Sequence, residues 1–335
     1  MAKRVIASLD LGSTKIVALI AERLDNGKFN VLGIGEAPSE GIIKGMVVNI
    51  NKTAEAIRFA VNAASNRAGI TITRVNVGLS GEHISSMRFR NYVTITNDDH
   101  EVSEDDLLRL RNDIKTVNIT ADRSIVHIIP EEFLVDGTPG ISQPIGMSCT
   151  KLEASNHIIL SAASAIANVR SAVERAGLEI NEIILSPLAS ANAVLEEGEK
   201  DLGVLVIDIG GGTTDVALYH NNALKYAKIY PLGGNTVTND IRETISVVTE
   251  EADDLKKKYG YAHPKAILRA EEITIRGIGA GAGSKIHTEI LTQIISYRMA
   301  ELFALIDYDL NQAGMKGKSK AGVVLTGGTA LLKGS

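Results

Sequence analysis

The first part of the chain alternates between short apolar runs and turn residues. Residues 4–9, 16–21 and 29–34 are apolar and rich in β-branched side chains, which favour strands. Small polar residues and glycine separate the first two runs, and Asp25-Asn26-Gly27, a typical hairpin sequence, separates the last two. The pattern therefore predicts three consecutive strands joined by short turns.

A helical pattern follows these strands. Residues 51–68 carry apolar side chains at intervals of three and four residues, the spacing of a helix with one buried face. Asn51 is a residue type that caps the start of helices, and Gly69 is a type that ends them. The sequence thus predicts a helix over residues 51–68.

The pattern changes near residue 80. Two strand-like segments, 87–96 and 124–134, flank a charged segment that opens with Ser103-Glu104-Asp105-Asp106, which is typical of a helix-capping box. Residues 137–144 are rich in glycine and proline and predict a loop. We interpret residues 84–162 as a small inserted α+β subdomain.

The opening pattern then occurs a second time. Apolar residues 204–207, 216–219 and 224–230 are separated first by a glycine-rich turn and then by Asn221-Asn222. In this repeat, Asp208 occupies the place that Asp10 has in the first copy. Because an internal repeat indicates repeated supersecondary structure, we expect two related domains that face each other.

Composition agrees with two folded domains. The chain has 335 residues, more than the roughly 250–300 at which a single core stops growing. Hydrophobic residues make up 44% and charged residues 22%, which excludes a disordered chain, a collagen or a coiled coil. The net charge of −5, with 4% aromatic residues and no Trp, gives no reason to expect nucleic-acid binding.

The sequence also limits the compartment and some kinds of site. Cys149 is the one cysteine, so an internal disulfide and a thiolate zinc site are both excluded. No apolar run approaches the ~18–20 residues that a membrane-spanning helix requires. We therefore expect a soluble, cytoplasmic protein.

The two glycine-rich turns have the composition of a phosphate site. Glycine allows an anion to approach successive backbone N–H groups, and nearby hydroxyls and Lys15 would add donors and positive charge. Asp10 and Asp208 would repel a phosphate directly. We therefore expect a hydrated Mg²⁺ between these carboxylates and the phosphates, because Mg²⁺ keeps waters and uses few protein carboxylates.

A third glycine turn lies near the end of the sequence, where apolar residues 323–325 lead to Thr326-Gly327-Gly328-Thr329. A helix that begins at this point could receive an adenosine or a phosphate edge. The sequence contains no P-loop pattern, and its first two glycine turns lead into strands rather than helices. These features argue against P-loop and dinucleotide-binding folds.

In their order and wide spacing, the three turns resemble the first phosphate, second phosphate and adenosine motifs of the actin, sugar kinase and heat-shock chaperone superfamily. Within it, the chain resembles the FtsA family of bacterial cell-division actin homologues. Further stretches that carry this resemblance are Pro144-Ile145-Gly146-Met147, Leu152-Glu153 with His157-Ile158-Ile159, Ser186-Pro187-Leu188-Ala189-Ser190, Gly233-Gly234-Asn235 and Lys258-Tyr259-Gly260.

This resemblance implies an α/β fold: an actin-like two-domain architecture, which is a duplicated ribonuclease-H-like fold, with an inserted α+β subdomain. The expected parts are a first domain of residues 1–83 and 163–185, the insert of residues 84–162, a second domain of residues 186–322 with an outer subdomain at about 240–300, and a return segment of residues 323–335 toward a first domain whose end is missing.

The resemblance also implies a site for ATP or ADP with Mg²⁺. The residues expected to line the nucleotide are Gly12, Ser13, Thr14, Lys15, Gly210, Gly211, Gly212, Thr213, Thr214, Gly233, Gly234, Asn235, Asp253, Lys256, Gly327, Gly328 and Thr329. Asp10 and Asp208 would hold Mg²⁺ through water. Asp253 stands where the family more often has the longer Glu.

Catalytic candidates are Asp10, Asp208 and Ser186. Relatives such as MreB place a water-positioning Glu or Gln near Ser186, whereas a serine hydroxyl is a poor general base. We therefore expect at most slow, Mg-dependent ATP turnover, with the nucleotide used mainly to close the cleft and favour filaments.

The family polymerises and links FtsZ filaments to the membrane and the division machinery. Arg298 and Glu301 match its Arg-x-x-Glu pattern and would bind the acidic FtsZ tail; a surface ion pair between the two is the alternative. Other division proteins would bind the insert. The family continues to an amphipathic helix that binds the inner face of the cell membrane at the division site, whereas this sequence stops at Ser335, so we expect no membrane binding of its own.

Two other functions are compatible with the sequence. PilM, a pilus-assembly adaptor, resembles FtsA and would bind a partner's peptide in its insert. A small-molecule kinase of the same fold would need an aspartate as base for the acceptor hydroxyl, and Asp215 is the position to consider.

Overall fold

The computed structural model describes residues 5–114, 119–275 and 285–335. Its first elements are β1 (Val5–Leu11), β2 (Lys15–Arg23), β3 (Phe29–Pro38), the short β4 (Ile42–Ile43) and β5 (Met46–Val47), α1 (Ile50–Ala68) and β6 (Arg74–Leu79). Strands β1, β2 and β3 form the predicted antiparallel meander, and β6 pairs with β1 in parallel.

Helix α1 packs directly on β3. It can approach closely because Gly35 has no side chain: a Cβ there would lie 1.9 Å from the carbonyl oxygen of Ala60. The cap is Asn49, whose side chain accepts from Lys52 N–H, so the expectation that Asn51 caps the helix was wrong by two residues. The C-terminal prediction is confirmed, because Gly69 ends the helix in the left-handed conformation, with φ of 66°.

The inserted unit is a four-stranded antiparallel sheet with one helix. It comprises β7 (Ser85–Thr94), α2 (Glu104–Ile114), β8 (Arg123–Val135), β9 (Thr138–Ile141) and β10 (Lys151–Ala162), in the strand order β7-β10-β8-β9. The capping box is present, since Ser103 Oγ accepts from Asp106 N–H and Asp106 Oδ2 accepts from Ser103 N–H. Residues 137–144 are not wholly loop as predicted, because β9 lies at the sheet edge, where Pro139 is tolerated.

After the insert, α3 (Ala163–Arg175) and β11 (Glu179–Leu185) complete the first sheet in the order β11-β6-β1-β2-β3. The predicted domain boundaries stay a prediction; all four strands of the insert lie within residues 84–162.

The remaining elements form a second unit whose sheet repeats the strand arrangement of the first sheet. They are α4 (Ser186–Val194), α5 (Glu197–Leu202), β12 (Val204–Ile209), β13 (Thr214–His220), β14 (Ala223–Tyr230), α6 (Gly234–Ile245), α7 (Thr249–Tyr259), β15 (Glu272–Thr274), β16 (Lys285–His287), α8 (Thr288–Gln312) and β17 (Gly322–Thr326), with short 3₁₀ turns at Pro264–Ala266 and Thr329–Leu331. The second sheet has the order β14-β13-β12-β17, which matches β3-β2-β1-β6 strand for strand.

Each sheet carries its own apolar core. Ile16, Ile20 and Ile57 are fully buried between the first sheet and α1, whereas Ile241 and Ile295 are fully buried against the second sheet. No helix in the described ranges is both long and apolar enough to cross a membrane. The duplicated arrangement places the turns after β1 and β12 at equivalent positions in the two sheets.

Candidate nucleotide site

The two glycine turns, far apart in sequence, lie in contact. A Cβ added to Gly211 would lie 1.9 Å from Thr14 Oγ1, and one added to Gly212 would lie 2.3 Å from Ser13 Oγ. Ser13 Oγ also accepts a 2.9 Å hydrogen bond from Gly45 N–H. The structure therefore brings the turn after β1 and the turn after β12 to the same crevice.

The second turn is fixed by the start of α6. Gly234 N–H donates to the carbonyl of Gly210 at 2.9 Å, and Asn235 N–H donates to that of Gly211 at 2.7 Å. A Cβ on Gly233 would lie 2.7 Å from both of those carbonyl oxygens. Glycine at position 233 thus lets the start of α6 close on the turn. That residues 233–235 line the nucleotide stays a prediction.

The third glycine turn packs on the second. Thr329 Oγ1 donates to the Gly210 carbonyl at 2.9 Å, and Gly327 has a φ of 89°. A Cβ on Gly327 would lie 2.4 Å from Asp208 Oδ1, whereas one on Gly328 would meet no atom within 4 Å. The first and third turns therefore both contact the second turn, at residues 211–212 and 210 respectively.

Thr214 has a different position from the other hydroxyls. Its side chain is fully buried, and Oγ1 donates to the Leu232 carbonyl at 2.8 Å. This hydroxyl therefore supports the segment before α6 and does not reach the crevice, in contrast to the role expected from the sequence.

The carboxylates of Asp10 and Asp208 lie at the ends of β1 and β12. The Asp10 side chain keeps an accessible surface at the crevice wall, although protein atoms surround its carboxylate closely. This burial and the negative charge of Asp208 raise the pKa of Asp10 above its usual range, whereas the positive charge of Lys15 lowers it. Such a pair repels itself, so a divalent cation would stabilise it. No set of three or more carboxyl, imidazole or thiol groups in the described part of the chain could hold a metal directly. Two carboxylates are a ligand set that a hydrated Mg²⁺ can use, because Mg²⁺ keeps most of its waters.

Helix α4 contributes a hydroxyl to Asp208 and places a second near Gly78. Ser190 Oγ donates to Asp208 Oδ2 at 2.5 Å. One turn earlier, Ser186 Oγ and Asp10 Oδ1 lie 3.3 Å and 3.9 Å from the position that a Cβ of Gly78 would occupy. Ser186 and Asp10 thus lie on the same side of Gly78, and a catalytic role for Ser186 stays a prediction. Ser190 is a site residue that sequence reasoning missed. Its spacing of four residues from Ser186 within one helix was the available signal.

Asp215 is a buried acid at the same crevice. It pairs with Asp208 in the register of β12 and β13, and its Oδ1 accepts a 2.7 Å hydrogen bond from Ser80 Oγ. Burial raises the pKa of Asp215 to about 7, against the hydrogen bond from Ser80 and with support from Asp208. Nothing in the sequence pointed to Ser80, which belongs to the other half of the molecule.

Asp253 and Lys256 lie together on α7, below the start of α6. Lys256 Nζ is 2.7 Å from Asp253 Oδ1 and donates to the Gly234 carbonyl at 3.0 Å and to Thr238 Oγ1 at 2.6 Å. Partial burial opposes ionisation of Asp253, but hydrogen bonds from Lys256 and Lys257 outweigh it and hold its pKa below the usual value. Asp253 and Lys256, the residues expected at the adenosine, therefore both bond to Thr238, which belongs to a stretch that carries the family resemblance but had no expected role at the site.

Arg298 on α8 holds α6. Its Nε and Nη2 donate to the two carboxylate oxygens of Asp240, at 2.6 and 2.9 Å, and its Nη1 contacts Glu301. The Asp240 hydrogen bonds are the largest cause of a raised Arg298 pKa, so the guanidinium stays charged. The Arg298–Glu301 ion pair, which was the alternative to tail binding, exists, but the stronger partner of Arg298 is Asp240, a contact that sequence reasoning missed.

Comparison with known proteins agrees with this geometry. Family models match residues 81–160 (SHS2 domain inserted in FtsA), 205–335 (cell division protein FtsA) and 140–267 (type IV pilus assembly protein PilM). Cell division protein FtsA of Neisseria meningitidis is 40% identical over 99% of this chain and 80% of its own length, and that of Pseudomonas aeruginosa is 37% identical over 99% and 79%.

Solved structures share the fold at low identity. The PilM–PilN type IV pilus biogenesis complex has a TM-score of 0.66 at 16% identity, covering 97% of this chain and 82% of the other. MreB5 of Spiroplasma citri bound to ADP has a TM-score of 0.55 at 16% identity, covering 98% and 86%. The predicted fold class is confirmed. With curated relatives this similar along nearly its whole length, the chain belongs to the FtsA family of actin-like cell-division proteins.

Proposed function

We propose that this protein binds ATP with Mg²⁺ between its two halves, polymerises, and links FtsZ filaments to the division machinery at the cell membrane. The observation that carries the proposal is the contact of the two glycine turns, at Gly211 and Thr14. Two opposed sets of backbone donors, each beside one aspartate, suit a magnesium-bound triphosphate. The ADP-bound state of the MreB5 structure, which shares this fold, supports the nucleotide part.

In this proposal, the turn after β1 with Lys15 and the turn after β12 hold the phosphates from opposite sides, and Asp10 and Asp208 hold Mg²⁺ through water. The cation would neutralise charge on the phosphates and on the two carboxylates. Since the turns touch in the structure, phosphate entry requires them to separate. Nucleotide binding would thereby set the distance between the two halves.

Turnover is proposed to be slow. Ser186 Oγ lies near Asp10 but is a weak base, and Ser190 Oγ is committed to Asp208. Asp215, with a pKa of about 7, is half ionised near neutral pH but is bonded to Ser80. None of these groups matches a strong base aimed at a free water, so the nucleotide would act mainly through filament formation.

For the FtsZ tail, we propose the exposed face of α8 around Arg298 and Glu301. The Arg298 side chain is 28% exposed and retains its charge beside Asp240. A tail carboxylate would add to this ion pair or compete with it.

Sedimentation of the protein with ATP and Mg²⁺, or with no nucleotide, each with and without FtsZ, tests the proposal. We expect nucleotide-dependent pellets that also contain FtsZ. Pellets that form equally without nucleotide would contradict nucleotide-dependent polymerisation. Pellets that leave all FtsZ in the supernatant would contradict FtsZ binding.

A pilus-assembly adaptor is the second candidate, because the PilM family model matches residues 140–267 and the PilM–PilN complex shares the fold. Such an adaptor would bind a partner's peptide through its insert and leave FtsZ unbound. The FtsZ arm of the sedimentation experiment separates the two functions.

A further inference from the structure

A cavity of about 380 Å³ lies away from the nucleotide crevice, between the inserted sheet and the β13–β14 hairpin. Its lining is polar throughout: Arg88, Arg90, Glu131, Glu132, Ser155, His220, Asn221, Lys225 and Lys318. The first five of these residues belong to the insert and the other four to the second half of the chain. The cavity is therefore formed only when the insert and the second half are in contact.

The insert shapes its wall with a β-bulge. Ser155 of β10 pairs with Glu132, and Asn156 pairs with Pro130, so Glu131 is an extra residue in β8. Consecutive strand residues normally point to opposite faces, but a bulge re-aims one of them. For this reason Glu131 and Glu132 both line the cavity.

The opposite wall is held by backbone contacts. Asn221 and Asn222 have φ of 52° and 56° and form the two-residue turn between β13 and β14. Beside it, Lys318 packs so closely that a Cβ on Gly203 would lie 1.9 Å from its carbonyl oxygen. Arg88 Nη2 joins the two walls by donating to the Lys225 carbonyl at 3.1 Å.

The charges in this cavity do not balance. Glu131 is satisfied, because it accepts from Arg88 Nε at 3.2 Å and from Ser155 Oγ at 3.1 Å. Glu132 accepts from Gly140 N–H at 3.1 Å. The side chains of Arg90, Lys225 and Lys318 form no hydrogen bond with any residue in the described ranges, although the positive charge of Lys225 acts on Glu131. Four cationic groups thus surround two carboxylates that already have partners.

We propose that this cavity binds a compact phosphate-type oxyanion, such as phosphate, pyrophosphate or the phosphate of a small metabolite. Arginine recognises phosphate oxygens in pairs, and lysine supplies point charge. The described residues that line the cavity include no aliphatic side chain, so an apolar peptide has nothing to pack on.

The three cations Arg90, Lys225 and Lys318 come from two parts of the chain, so an anion bound to them would connect these parts. Arg90 comes from the insert, whereas Lys225 and Lys318 come from the second half. An anion held by all three would join these parts at a point remote from the nucleotide crevice. Binding would therefore reduce the motion of the insert relative to the second half.

The test is a titration of the ¹⁵N-labelled full chain with pyrophosphate at constant ionic strength, followed by backbone amide signals. We expect saturable shifts at Asn221, Ala223 and Ser155. Lys225→Gln with Lys318→Gln should weaken this binding about tenfold or more, because each lysine contributes a charge-assisted contact. Lys320→Gln is the matched control: it makes the same charge change two residues from Lys318, outside the cavity lining, and should bind like the wild type.

Signals at the nucleotide crevice, such as those of Thr213 and Gly234, separate the two sites. Shifts confined to the crevice would overturn the proposal, as would equal affinity in the double variant. Shifts with a hexaglutamate peptide but not with pyrophosphate would replace it with an acidic-peptide site. If the double variant does not fold, Arg90→Gln takes its place and should show the same loss.

Discussion

Ser80 donates a 2.7 Å hydrogen bond to Asp215, and this bond joins the two halves of the molecule. Ser80 directly follows β6 of the first sheet, and Asp215 lies in β13 of the second. Asp215 is only 5% exposed, and burial is the main reason that its pKa rises to about 7. The joint between the halves therefore contains an acid that titrates near neutral pH.

The contribution of Asp215 to stability should fall as pH rises toward and through 7. The pKa of Asp215 in the folded protein lies above its ordinary value of 3.8. Between pH 3.8 and about pH 7, the folded protein therefore binds more protons than the unfolded chain. The stabilising contribution is complete below about pH 4 and is lost as pH rises through 7. Asp215→Asn removes this titration, so its free energy of unfolding should decline less between pH 5 and pH 8 in urea denaturation.

The matched control is Asp98→Asn, since Asp98 is an exposed aspartate in the insert. This variant should follow the wild-type pH dependence. If the free energy of unfolding of Asp215→Asn changes with pH as steeply as that of the wild type, the pH dependence comes mainly from other groups. Asp10, whose pKa is also raised, is one such group.

Glycine-to-alanine changes should separate the roles of three glycines. Gly211→Ala places a methyl group 1.9 Å from Thr14 Oγ1, a side-chain atom that can move aside within the crevice. We expect a modest loss of stability, about 1 kcal/mol, but at least a tenfold loss of ATP affinity by calorimetry. Gly35→Ala meets the backbone carbonyl of Ala60 at 1.9 Å and should instead cost about 2–3 kcal/mol of stability.

The control for both is Gly198→Ala, because a Cβ on this exposed helix residue would meet nothing within 4 Å. It should bind ATP normally and be as stable as the wild type or slightly more so. Normal ATP affinity in Gly211→Ala would be incompatible with phosphates between the turns.

Lys256 and Lys257 both contact Asp253, yet they should differ in their contributions to stability. The Lys256 side chain is 9% exposed and also bonds Gly234 and Thr238, whereas the Lys257 side chain is 67% exposed. Lys256→Met leaves Asp253 and the Gly234 carbonyl short of a donor and should cost about 1–3 kcal/mol in urea denaturation. Lys257→Met should cost less than about 1 kcal/mol. Equal losses of unfolding free energy in the two variants would mean that the buried hydrogen bonds of Lys256 stabilise the fold no more than the exposed ion pair of Lys257.

Local chemistry explains which features were predictable. The strand–glycine turn–strand repeat and the Asn221-Asn222 hairpin depend on residues close in sequence, so both appear in the pattern and in the structure. The Ser80–Asp215 and Arg298–Asp240 contacts depend on how helices and sheets pack, and neither partner marks the other in sequence. The burial of Thr214 has the same origin, because its hydroxyl is used by Leu232.

The Arg298–Asp240 pair permits a decisive test of the proposed FtsZ-tail site. Asp240→Asn weakens the bidentate pair between α6 and α8 and should cost about 1–2 kcal/mol of stability. It also releases Arg298 from its strongest partner.

Tail binding is measured by fluorescence anisotropy with a labelled FtsZ tail peptide. If Arg298 binds a tail carboxylate directly, Asp240→Asn should bind the peptide at least as tightly as the wild type, whereas Arg298→Gln should lose about tenfold in affinity. Glu243→Gln removes the same charge from an exposed side chain of α6 and leaves the bidentate pair intact, so it controls for net charge. Equal losses in Asp240→Asn and Arg298→Gln would instead mean that Arg298 only fixes the angle between the helices, and the tail would then contact other residues of this face.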